Sequence, residues 1–407
     1  MSTTRYVILG GGMVAGYAAK ELVEHGLKPG ELTLISRDSA VPYERPPLSK
    51  GFLAGKDSES GILINPAGWY REHGIELKLE TTVEKVDPKT KALRTSSGEQ
   101  LRFERLLIST GAEPRRFNIP GHELAGIFYL RSMSDSSAIR SAAATAKRAV
   151  VVGGGFIGME VASVLAQKNI ETTLVIREER VWSRAFTPEM SQFFENYYSA
   201  RGVRLRKQAG LGAIGGTGSV RSAKLSDGEE IACDLVVAGI GVMPVTDFLA
   251  GSGLAIHDGV VVNEFLETNQ PNIYAAGDVA NYPDGIFGKR RRVEHWDNAV
   301  AQGQHWAREI AGHRQPFVHV PYFFSDVFDL SYELWGDSGE ATENVIRGDA
   351  HTPSFSVWWL KDSRVVSAFV MNRPDEERQL APEWIKSRTE VNPARLRDTS
   401  RPLTEAA

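Results

Sequence analysis

The sequence predicts an α/β protein with two doubly wound, largely parallel sheets and a small α+β C-terminal domain that contains an antiparallel sheet. Three observations indicate this fold class. A pattern of apolar strand, glycine turn and helix opens the chain and recurs 143 residues later. Each copy continues into a second apolar strand and closes with a strand that ends in glycine. The end of the chain instead alternates apolar and polar residues around short turns.

Composition excludes several classes of protein. The 407 residues suffice for two or three domains with their own cores. The 47 basic and 51 acidic residues leave a net charge of −4, which argues against nucleic acid as the main partner. No apolar run approaches the roughly 18 residues of a membrane span. Residues 1–5 lead directly into a strand and leave no room for a signal peptide, so we expect a cytoplasmic protein without a membrane partner.

The single cysteine, Cys233, limits the redox chemistry. One cysteine cannot form an intrachain disulfide or a Cys-x-x-Cys pair, and it cannot supply the thiolates of an iron–sulfur cluster. Because it lies in a strand-like stretch, Glu230–Val237, we expect a buried structural thiol. Any electron transfer must then depend on bound organic cofactors.

The first glycine turn lies within Tyr6–Ala19. Gly10 permits the tight turn, Gly12 lets a pyrophosphate approach the backbone, and Ala15 or Gly16 lets the helix pack closely on the strand. The N–H groups at the start of the helix then face the phosphates. Taken alone, the pattern fits a simple packing turn equally well.

Two features after the first turn strengthen its interpretation as a nucleotide site. The second apolar strand ends in Asp38, at about the distance where such units place a carboxylate for a ribose hydroxyl. A proline-rich segment, Val41–Lys50, then holds Arg45 and Lys50 in place. Fixed cations suit phosphates or an electron-rich ring, although a rigid surface loop is the simpler alternative.

The second copy is a complete Gly-x-Gly-x-x-Gly at Gly153–Gly158, with a helix over Glu160–Lys168 and a strand over Glu171–Ile176. The first copy closes at Thr110-Gly111 and the second at Gly239-Ile240-Gly241. Two such units predict two Rossmann-like dinucleotide-binding domains.

The remaining chain carries one more ligand signal and the C-terminal domain. Asp278 ends an apolar strand, and the carboxyl ends of strands are where doubly wound sheets bind ligands. Alternating strands then follow, two of them about the turn Lys361–Ser363. Beyond Pro374 we expect a short helix and a mobile polar tail over Val391–Ala407.

These motifs together resemble a flavoprotein reductase family that includes oxygenase-coupled ferredoxin reductases, apoptosis-inducing factor and monodehydroascorbate reductase, within the pyridine nucleotide-disulfide oxidoreductase superfamily but without its redox disulfide. The match runs from about Arg5 to Arg373. The segments that carry it are Gly10–Gly16, Pro42–Lys50, Thr110-Gly111, Gly153–Glu160, Gly239–Val242 and Ala276–Val279.

The resemblance implies three domains and two cofactors. It implies a discontinuous FAD-binding domain (1–115 and 245–320), an NAD(P)H-binding domain (116–244) and a C-terminal domain that covers the flavin (321–407). FAD contacts are implied for Gly10, Gly12, Met13, Ala15, Asp38, Arg45, Lys50, Val83, Thr110, Gly111, Arg131, Asp278, Glu294, His295, Trp296 and Phe324. NAD(P)H contacts are implied for Gly153, Gly155, Phe156, Ile157, Gly158, Glu160, Glu178, Arg184 and Gly241.

The resemblance also assigns catalytic roles. Lys50 should lie near the flavin and favour the negative charge that arrives with hydride, and Glu160 should pair with Lys50 and orient it. A solvent-facing helix residue is the alternative for Glu160. His295 is expected to contact the ring rather than to catalyse, and Trp296 to form a flat apolar wall.

The preference between NADH and NADPH depends on the end of the second unit's second strand. Ile176 stands where an acid is usual, but Glu178 matches the acid of monodehydroascorbate reductases and would repel a 2′-phosphate. Arg177 and Arg180 flank it and could attract one. We favour NADH.

The electron acceptor divides the family. The first reading is a one-electron transfer to a small [2Fe-2S] ferredoxin, with Lys289–Arg292 either a dock for an acidic partner or a solvated turn. The second is a small-molecule reductase acting on a radical or quinone, although the arginine and tyrosine of monodehydroascorbate reductases align with Val300 and Phe324. Ferredoxin reductases usually carry tryptophan at the position of Phe324, so their pattern is also incomplete here. The third is a signalling flavoprotein like apoptosis-inducing factor. A monomer or a homodimer is expected.

Overall fold

The computed structural model describes residues 3–407, so Met1 and Ser2, which we expected to precede the first strand, lie outside the described residues. The helices are α1 (Met13–Glu24), α2 (Gly51–Ala54), α3 (Ala67–Glu72), α4 (Met133–Ala143), α5 (Phe156–Gln167), α6 (Pro188–Ser199), α7 (Trp296–Ile310), α8 (Asp375–Ser387) and α9 (Pro393–Arg397).

The strands are β1 (Thr3–Leu9), β2 (Leu32–Ile35), β3 (Glu76–Lys78), β4 (Val83–Asp87), β5 (Ala92–Thr95), β6 (Gln100–Ile108), β7 (Ala112–Pro114), β8 (Ile127–Tyr129), β9 (Arg148–Val152), β10 (Glu171–Val175), β11 (Val203–Arg206), β12 (Leu211–Thr217), β13 (Ser219–Leu225), β14 (Glu230–Ala232), β15 (Leu235–Ala238), β16 (Val242–Pro244), β17 (Val260–Val261), β18 (Ile273–Ala275), β19 (Ala280–Asp284), β20 (Lys289–Arg291), β21 (Tyr322–Val327), β22 (Leu330–Gly336), β23 (Glu343–Gly348), β24 (Phe355–Lys361) and β25 (Arg364–Met371).

The chain divides into two compact units. Unit 1 contains the described residues up to Pro46, Ser58–Glu113 and Val242–Pro321. Unit 2 contains Pro47–Asp57, Pro114–Gly241 and Tyr322–Ala407. The short segment with Lys50 therefore belongs to unit 2, although the chain on either side of it belongs to unit 1.

Unit 1 is built on a seven-stranded sheet in the order β3-β2-β1-β6-β5-β4, with β18 also paired to β6. The pairs of β1 with β2 and β6 are parallel, and so is the pair of β6 with β18. The last four residues of β1 are buried, because helices cover both faces of such a sheet. The carboxyl ends of β1, β2 and β18 thus lead into the first glycine turn, Asp38 and Asp278 respectively.

Unit 2 contains the second parallel sheet, in the order β11-β10-β9-β15-β8. All four of its strand pairs are parallel, and β9 and β10 are buried from their second residue onward. The meander β12-β13-β14 packs beside it around Cys233. The predicted strand Glu230–Val237 is split at Cys233 and Asp234, but the thiol is buried as expected. Burial and the charge of Asp234 raise the pKa of the Cys233 thiol to about 12.

Unit 2 also contains the antiparallel sheet β21-β22-β25-β24-β23. Its pairs are antiparallel throughout, and Asp362 and Ser363 form the β24–β25 turn with φ of 50° and 59°. The largely parallel sheet of unit 1, the parallel sheet of unit 2 and this antiparallel sheet confirm the predicted fold class. No helix among residues 3–407 has the length and apolar character needed to cross a membrane.

The prediction of a mobile tail was wrong. Residues 391–407 form α9 and a final 3-10 turn, Leu403–Ala406, which are held by one buried cation. The Arg347 guanidinium donates to the carbonyl oxygens of Leu396, Asp398 and Arg401. A buried charge must be paired or hydrogen-bonded, so this arginine stabilises a segment whose own composition is polar.

Candidate cofactor and active site

The first glycine turn lies between β1 and α1 in unit 1. Gly10 has φ of +122°, and a Cβ atom there would lie 2.2 Å from the carbonyl oxygen of Ser109. Only glycine fits this position. Gly12 is the N-cap of α1, and the nearest atom to its missing Cβ is a guanidinium nitrogen of Arg45, 4.0 Å away. Met13 and Ala15 are buried beneath the turn.

Asp38 and Arg45 are joined by a residue that the sequence did not single out. Tyr43 is fully buried, and its hydroxyl donates to Asp38 Oδ2 at 2.8 Å. The backbone N–H of Ala40 donates to Asp38 Oδ1 at 3.2 Å. The Arg45 guanidinium lies 4.6 Å from the centre of the Tyr43 ring, a cation–π contact. Tyr43 thus fixes both the predicted ribose carboxylate and the predicted phosphate cation.

The end of β6 continues into Thr110 and Gly111, the two residues at which we expect the backbone to pass close to a ligand. Gly111 has φ of +67°, and its carbonyl accepts from the backbone N–H of Val245 at 3.0 Å. The Thr110 hydroxyl donates to the Val245 carbonyl at 2.9 Å. Val83, at the start of β4, is buried.

Asp278 and Glu294 are linked by Arg292. This guanidinium donates to the Asp278 carbonyl oxygen at 3.0 Å and pairs with the carboxylate of Glu294 and with that of Asp258. Its side chain is only 10% exposed. Arg292 therefore ties the Gly277–Val279 turn to the segment that leads into α7.

The arginines of the basic run Lys289–Arg292 are engaged within unit 1, while Lys289 and Arg290 are exposed, so a role of this run as a dock stays a prediction. Arg290 donates to the carbonyl oxygens of Val262 and Asn281. Arg291 pairs with the buried Asp284 at 3.0 Å. With Arg292 also engaged, the three guanidinium groups stabilise turns of unit 1.

Trp296 begins α7, and its orientation is set by Glu44. The indole Nε1 donates to Glu44 Oε2 at 2.6 Å, and the Tyr17 hydroxyl donates to Glu44 Oε1 at 2.7 Å. Burial and the hydrogen bond to the Glu44 carboxylate raise the pKa of Tyr17. His295 is the N-cap of α7, where its Nδ1 accepts from the Asp297 backbone N–H at 3.4 Å. His295 thus has a capping role, and its contact with the flavin ring stays a prediction.

The second glycine turn, between β9 and α5 in unit 2, repeats the first. Gly153 has φ of +119°, and a Cβ atom there would lie 2.1 Å from the Gly239 carbonyl oxygen. A Cβ at Gly158 would lie 2.0 Å from the Gly153 carbonyl oxygen, so the helix packs tightly on the turn. At the N-cap Gly155 a Cβ would meet nothing within 4 Å, and Ile157 is 40% exposed beside it.

The residues that follow β10 separate into buried and exposed groups. Ile176 is 1% exposed and packs against Gly154, whereas Glu178 is exposed. Arg180 turns away and donates to the carbonyl oxygens of Ser183 and Phe186 and to a serine hydroxyl.

The other residues assigned to NAD(P)H or FAD in unit 2 are more dispersed. Arg184 is exposed, and the Gly241 carbonyl accepts from the Arg115 backbone N–H at 2.9 Å. Phe156 stacks on Phe323 with ring centroids 5.9 Å apart. The backbone N–H of Arg131 donates to Asp135 at the start of α4.

Lys50 and Glu160 form a close ion pair within unit 2. Lys50 Nζ lies 2.8 Å from Glu160 Oε1, and their side chains are 15% and 3% exposed. Glu160 is therefore not a solvent-facing helix residue. Its carboxylate also accepts from the hydroxyls of Ser49 and Ser325, neither of which the sequence singled out. Lys50 Nζ lies 5.1 Å from the centre of the Phe324 ring.

The Glu160 carboxylate contributes to raised pKa values of two buried tyrosines. Burial and the charge of Glu160 raise the pKa of Tyr198, whose hydroxyl donates to the Met159 carbonyl at 2.9 Å. Burial, then the nearby Tyr198 and Glu160, raises the pKa of Tyr332 as well. Both phenols therefore stay protonated at neutral pH.

Residues 4–303 match the pyridine nucleotide-disulphide oxidoreductase family, and residues 322–407 match the reductase C-terminal family. The chain belongs to the pyridine nucleotide-disulphide oxidoreductases. A monodehydroascorbate reductase of Solanum lycopersicum is 36% identical over 406 residues, which cover 93% of each chain.

Two solved structures extend this likeness to three dimensions. A chain of the covalent putidaredoxin reductase–putidaredoxin complex has a TM-score of 0.95 at 30% identity and covers 99% of this chain and 98% of that one. A ferredoxin reductase from Rhodopseudomonas palustris has a TM-score of 0.94 at 31% identity and covers 100% of both chains. The chain is thus an FAD-dependent NAD(P)H oxidoreductase, as the motifs predicted.

The two glycine turns fit the dinucleotide cofactors of this oxidoreductase family. The glycine N-caps have no side chain to occupy the first turns of α1 and α5, and neither first turn carries an acidic residue. The positive ends of both helices are thus open to a pyrophosphate. When bound, NAD(P)H supplies a hydride and FAD accepts it and can release single electrons. Cys233 is the single cysteine of the sequence, so two thiols of this chain cannot form an intrachain disulfide.

The units divide the residues that we assigned to the cofactors. Lys50, Arg131 and Phe324 lie in unit 2, and the other residues assigned to FAD lie in unit 1. All residues assigned to NAD(P)H lie in unit 2. Within residues 3–407 no group of three His, Cys, Asp or Glu is arranged to hold a metal ion.

Proposed function

We propose that the protein passes electrons from NADH through FAD to a small [2Fe-2S] ferredoxin. The observation that carries this proposal is the pair of replacements at Val300 and Phe324. The resemblance places an arginine and a tyrosine there in enzymes that reduce the ascorbate radical. Neither replacement can donate a hydrogen bond to a small oxygen-rich substrate. The likeness to a ferredoxin reductase, which includes the C-terminal sheet, supports the same acceptor.

Lys50 and Glu160 are the residues that we propose to assist hydride transfer. A buried ammonium beside the flavin ring stabilises negative charge that develops there. Glu160 holds that ammonium in place, since the two groups are 2.8 Å apart and largely shielded from water. The pair acts by position and charge and needs no proton transfer between its members.

Selectivity for NADH over NADPH is the second part of the proposal. Glu178 is exposed at the end of β10, where its charge would repel a 2′-phosphate. Arg180, which could have attracted one, is engaged by backbone carbonyls. We expect kcat/KM for NADH to exceed that for NADPH by roughly tenfold or more. A preference for NADPH would contradict the role of Glu178.

A panel of acceptors tests the proposal. Purified protein with NADH would be assayed against [2Fe-2S] ferredoxins and against enzymatically generated ascorbate radical. We expect the higher kcat/KM with a ferredoxin, and we expect the double variant Val300→Arg/Phe324→Tyr to gain activity with the radical. Efficient radical reduction by the unaltered protein would favour the second candidate, a monodehydroascorbate-type reductase, for which the 36% identity to such enzymes speaks. Stopped-flow bleaching of the flavin by NADH separates both from a slow signalling flavoprotein.

A further inference from the structure

The carboxylate of Glu160 accepts hydrogen bonds from two different parts of unit 2. Lys50 Nζ and Ser49 Oγ are neighbours on one short segment, so they are placed together. Ser325 Oγ donates to Glu160 Oε1 at 2.5 Å from β21, a strand of the antiparallel sheet. The C-terminal domain thus contributes one hydroxyl to a pair that is otherwise formed by the segment and α5.

Ser325 is a more rigid donor than Lys50. It is fully buried, and its strand pairs with β22 at every position from Tyr322 to Val327. A serine hydroxyl has one side-chain torsion besides its own rotation, whereas a lysine ammonium lies at the end of four. The direction of the carboxylate is therefore fixed by the serine on the sheet more than by the lysine that depends on it.

The Ser325 hydroxyl also helps to stabilise the buried charge of the Glu160 carboxylate. A buried carboxylate needs several donors, because its remaining lone pairs are otherwise left without hydrogen bonds in a medium of low polarity. Without Ser325, Glu160 Oε1 would keep Lys50 and Oε2 would keep Ser49, but both of these partners lie on the one short segment, and the carboxylate would lose its donor from the antiparallel sheet. The carboxylate, and with it the Lys50 ammonium, would then be held less firmly.

We propose that Ser325 is a positioning residue for hydride transfer. Its hydroxyl fixes the carboxylate of Glu160, and through that carboxylate it holds the ammonium of Lys50. This inference rests on the proposed function of the Lys50–Glu160 pair. It assigns the C-terminal domain a part in the reduction of the flavin itself.

The test compares Ser325→Ala with Ser325→Cys and with a matched control, Ser367→Ala. Ser367 is a buried serine of the same sheet, on β25, but its hydroxyl donates to the Trp335 carbonyl at 2.6 Å. For each FAD-loaded variant, stopped-flow absorbance gives the limiting rate of flavin reduction and the NADH dissociation constant. Dye-coupled titration gives the midpoint potential of the bound flavin without NADH. The temperature of unfolding reports the cost to packing.

We expect Ser325→Ala to lower the limiting rate by roughly five- to tenfold, less than the full effect of a hydrogen bond to a charged group, because Lys50 and Ser49 still contact the carboxylate. The NADH dissociation constant should stay unchanged, and the flavin potential should become more negative because Lys50 is held less firmly. Ser325→Cys, which keeps the side-chain shape and weakens the donor, should fall between. Ser367→Ala should lower the unfolding temperature but change neither rate nor potential.

Two results would overturn the inference: an unaltered rate and potential in both Ser325 variants, or the same losses in Ser367→Ala. The cysteine variant provides the measurement if the alanine variant does not fold. Slow reduction of the wild-type flavin by NADH would instead refute the proposed function. The potential measured by dye titration would still show whether Ser325 positions Lys50.

Discussion

The two glycine turns of this chain have nearly the same backbone conformation. The helices that follow them differ at their fifth residue, which is a hydrogen-bond donor in one and an acceptor in the other. Gly10 and Gly153 have φ of +122° and +119°, and each lies against a carbonyl oxygen of a neighbouring strand end. Counting from them, Tyr17 and Glu160 occupy equivalent positions. Tyr17 donates to a carboxylate, whereas Glu160 is itself the carboxylate and accepts three donors.

The difference shows what a repeated fold leaves variable. The turn and the helix N-terminus are the parts of a dinucleotide-binding unit that approach a pyrophosphate. The fifth residue of the helix is not one of those parts, so in one unit it is a phenol and in the other a buried anion. The second strand ends differ in the same way, since Asp38 is fixed by Tyr43 while Glu178 is exposed.

The largest expected effect is a difference in the rate of flavin reduction between variants at Glu160 and at Tyr17. Glu160→Gln leaves the Lys50 ammonium without a counter-charge, and breaking a buried pair costs about 3 kcal/mol. We therefore expect the limiting rate of flavin reduction to fall by roughly a hundredfold. Tyr17→Phe, at the equivalent position, should change that rate by less than about threefold, because it removes one of two donors to Glu44. Stopped-flow reduction by NADH measures both, and equal effects would contradict the comparison.

The next effect tests whether Gly155 is kept for a ligand rather than for folding. Its missing Cβ would meet nothing within 4 Å in the protein. Gly155→Ala should leave the unfolding temperature and the FAD content unchanged but weaken NADH binding by roughly tenfold or more, since only a bound pyrophosphate would meet the new methyl group.

Gly153→Ala is the matched variant for that experiment. Its Cβ would collide with the Gly239 carbonyl oxygen, so we expect it to destabilise the protein itself. Titration with NADH and thermal unfolding distinguish the two variants. An NADH dissociation constant in Gly155→Ala equal to that of the wild type would mean that no phosphate approaches this turn.

A smaller effect is expected at the strand ends. Glu178→Ala removes an exposed charge and should lower the ratio of kcat/KM for NADH to kcat/KM for NADPH by roughly tenfold. Asp38→Ala should leave that ratio unchanged and instead increase loss of FAD on dilution. Steady-state kinetics and flavin fluorescence measure the two. A change in the preference between NADH and NADPH in Asp38→Ala would contradict our assignment of FAD to the first glycine turn and of NAD(P)H to the second.

The smallest effect concerns the thiol. Cys233→Ala should leave the rate of flavin reduction within about twofold and lower the free energy of unfolding by about 1 kcal/mol, through a small cavity. Because burial raises the thiol pKa to about 12, native protein should resist alkylation at neutral pH, whereas unfolded protein should react. Mass spectrometry after iodoacetamide treatment measures this. Rapid labelling of folded protein would contradict the buried environment.

The parts of the fold that sequence could predict are those encoded by local pattern. Glycines with a required backbone angle and continuous apolar strands identified both parallel sheets, and the motif set identified the Lys50–Glu160 pair. Ser49 and Ser325 were missed because a serine carries no periodic signal, and its role depends on a partner far along the chain. Tyr43 lay two residues before Arg45 in an extended segment, and that spacing could have indicated a shared face.

The wrong interpretation of the C-terminal tail has a physical cause that also applies to the run Lys289–Arg292. Both segments looked solvated because their residues are polar or charged. In the structure, Arg290 and Arg347 donate to backbone carbonyl oxygens. An arginine has five donors and can satisfy several carbonyls at once, and composition does not reveal which arginines do so.

The guanidinium of Arg347 has a consequence for how the protein is made. Its acceptors at Leu396, Asp398 and Arg401 come 49 to 54 residues after it in the chain. While a ribosome synthesises that stretch, the antiparallel sheet can pair its strands, but its buried cation has not yet met those carbonyl oxygens. The Glu377 carboxylate, 30 residues after Arg347, can pair with the guanidinium before then. A chain that stopped between Glu377 and Leu396 would therefore keep the counter-charge of Arg347 but lack its three carbonyl acceptors in the tail.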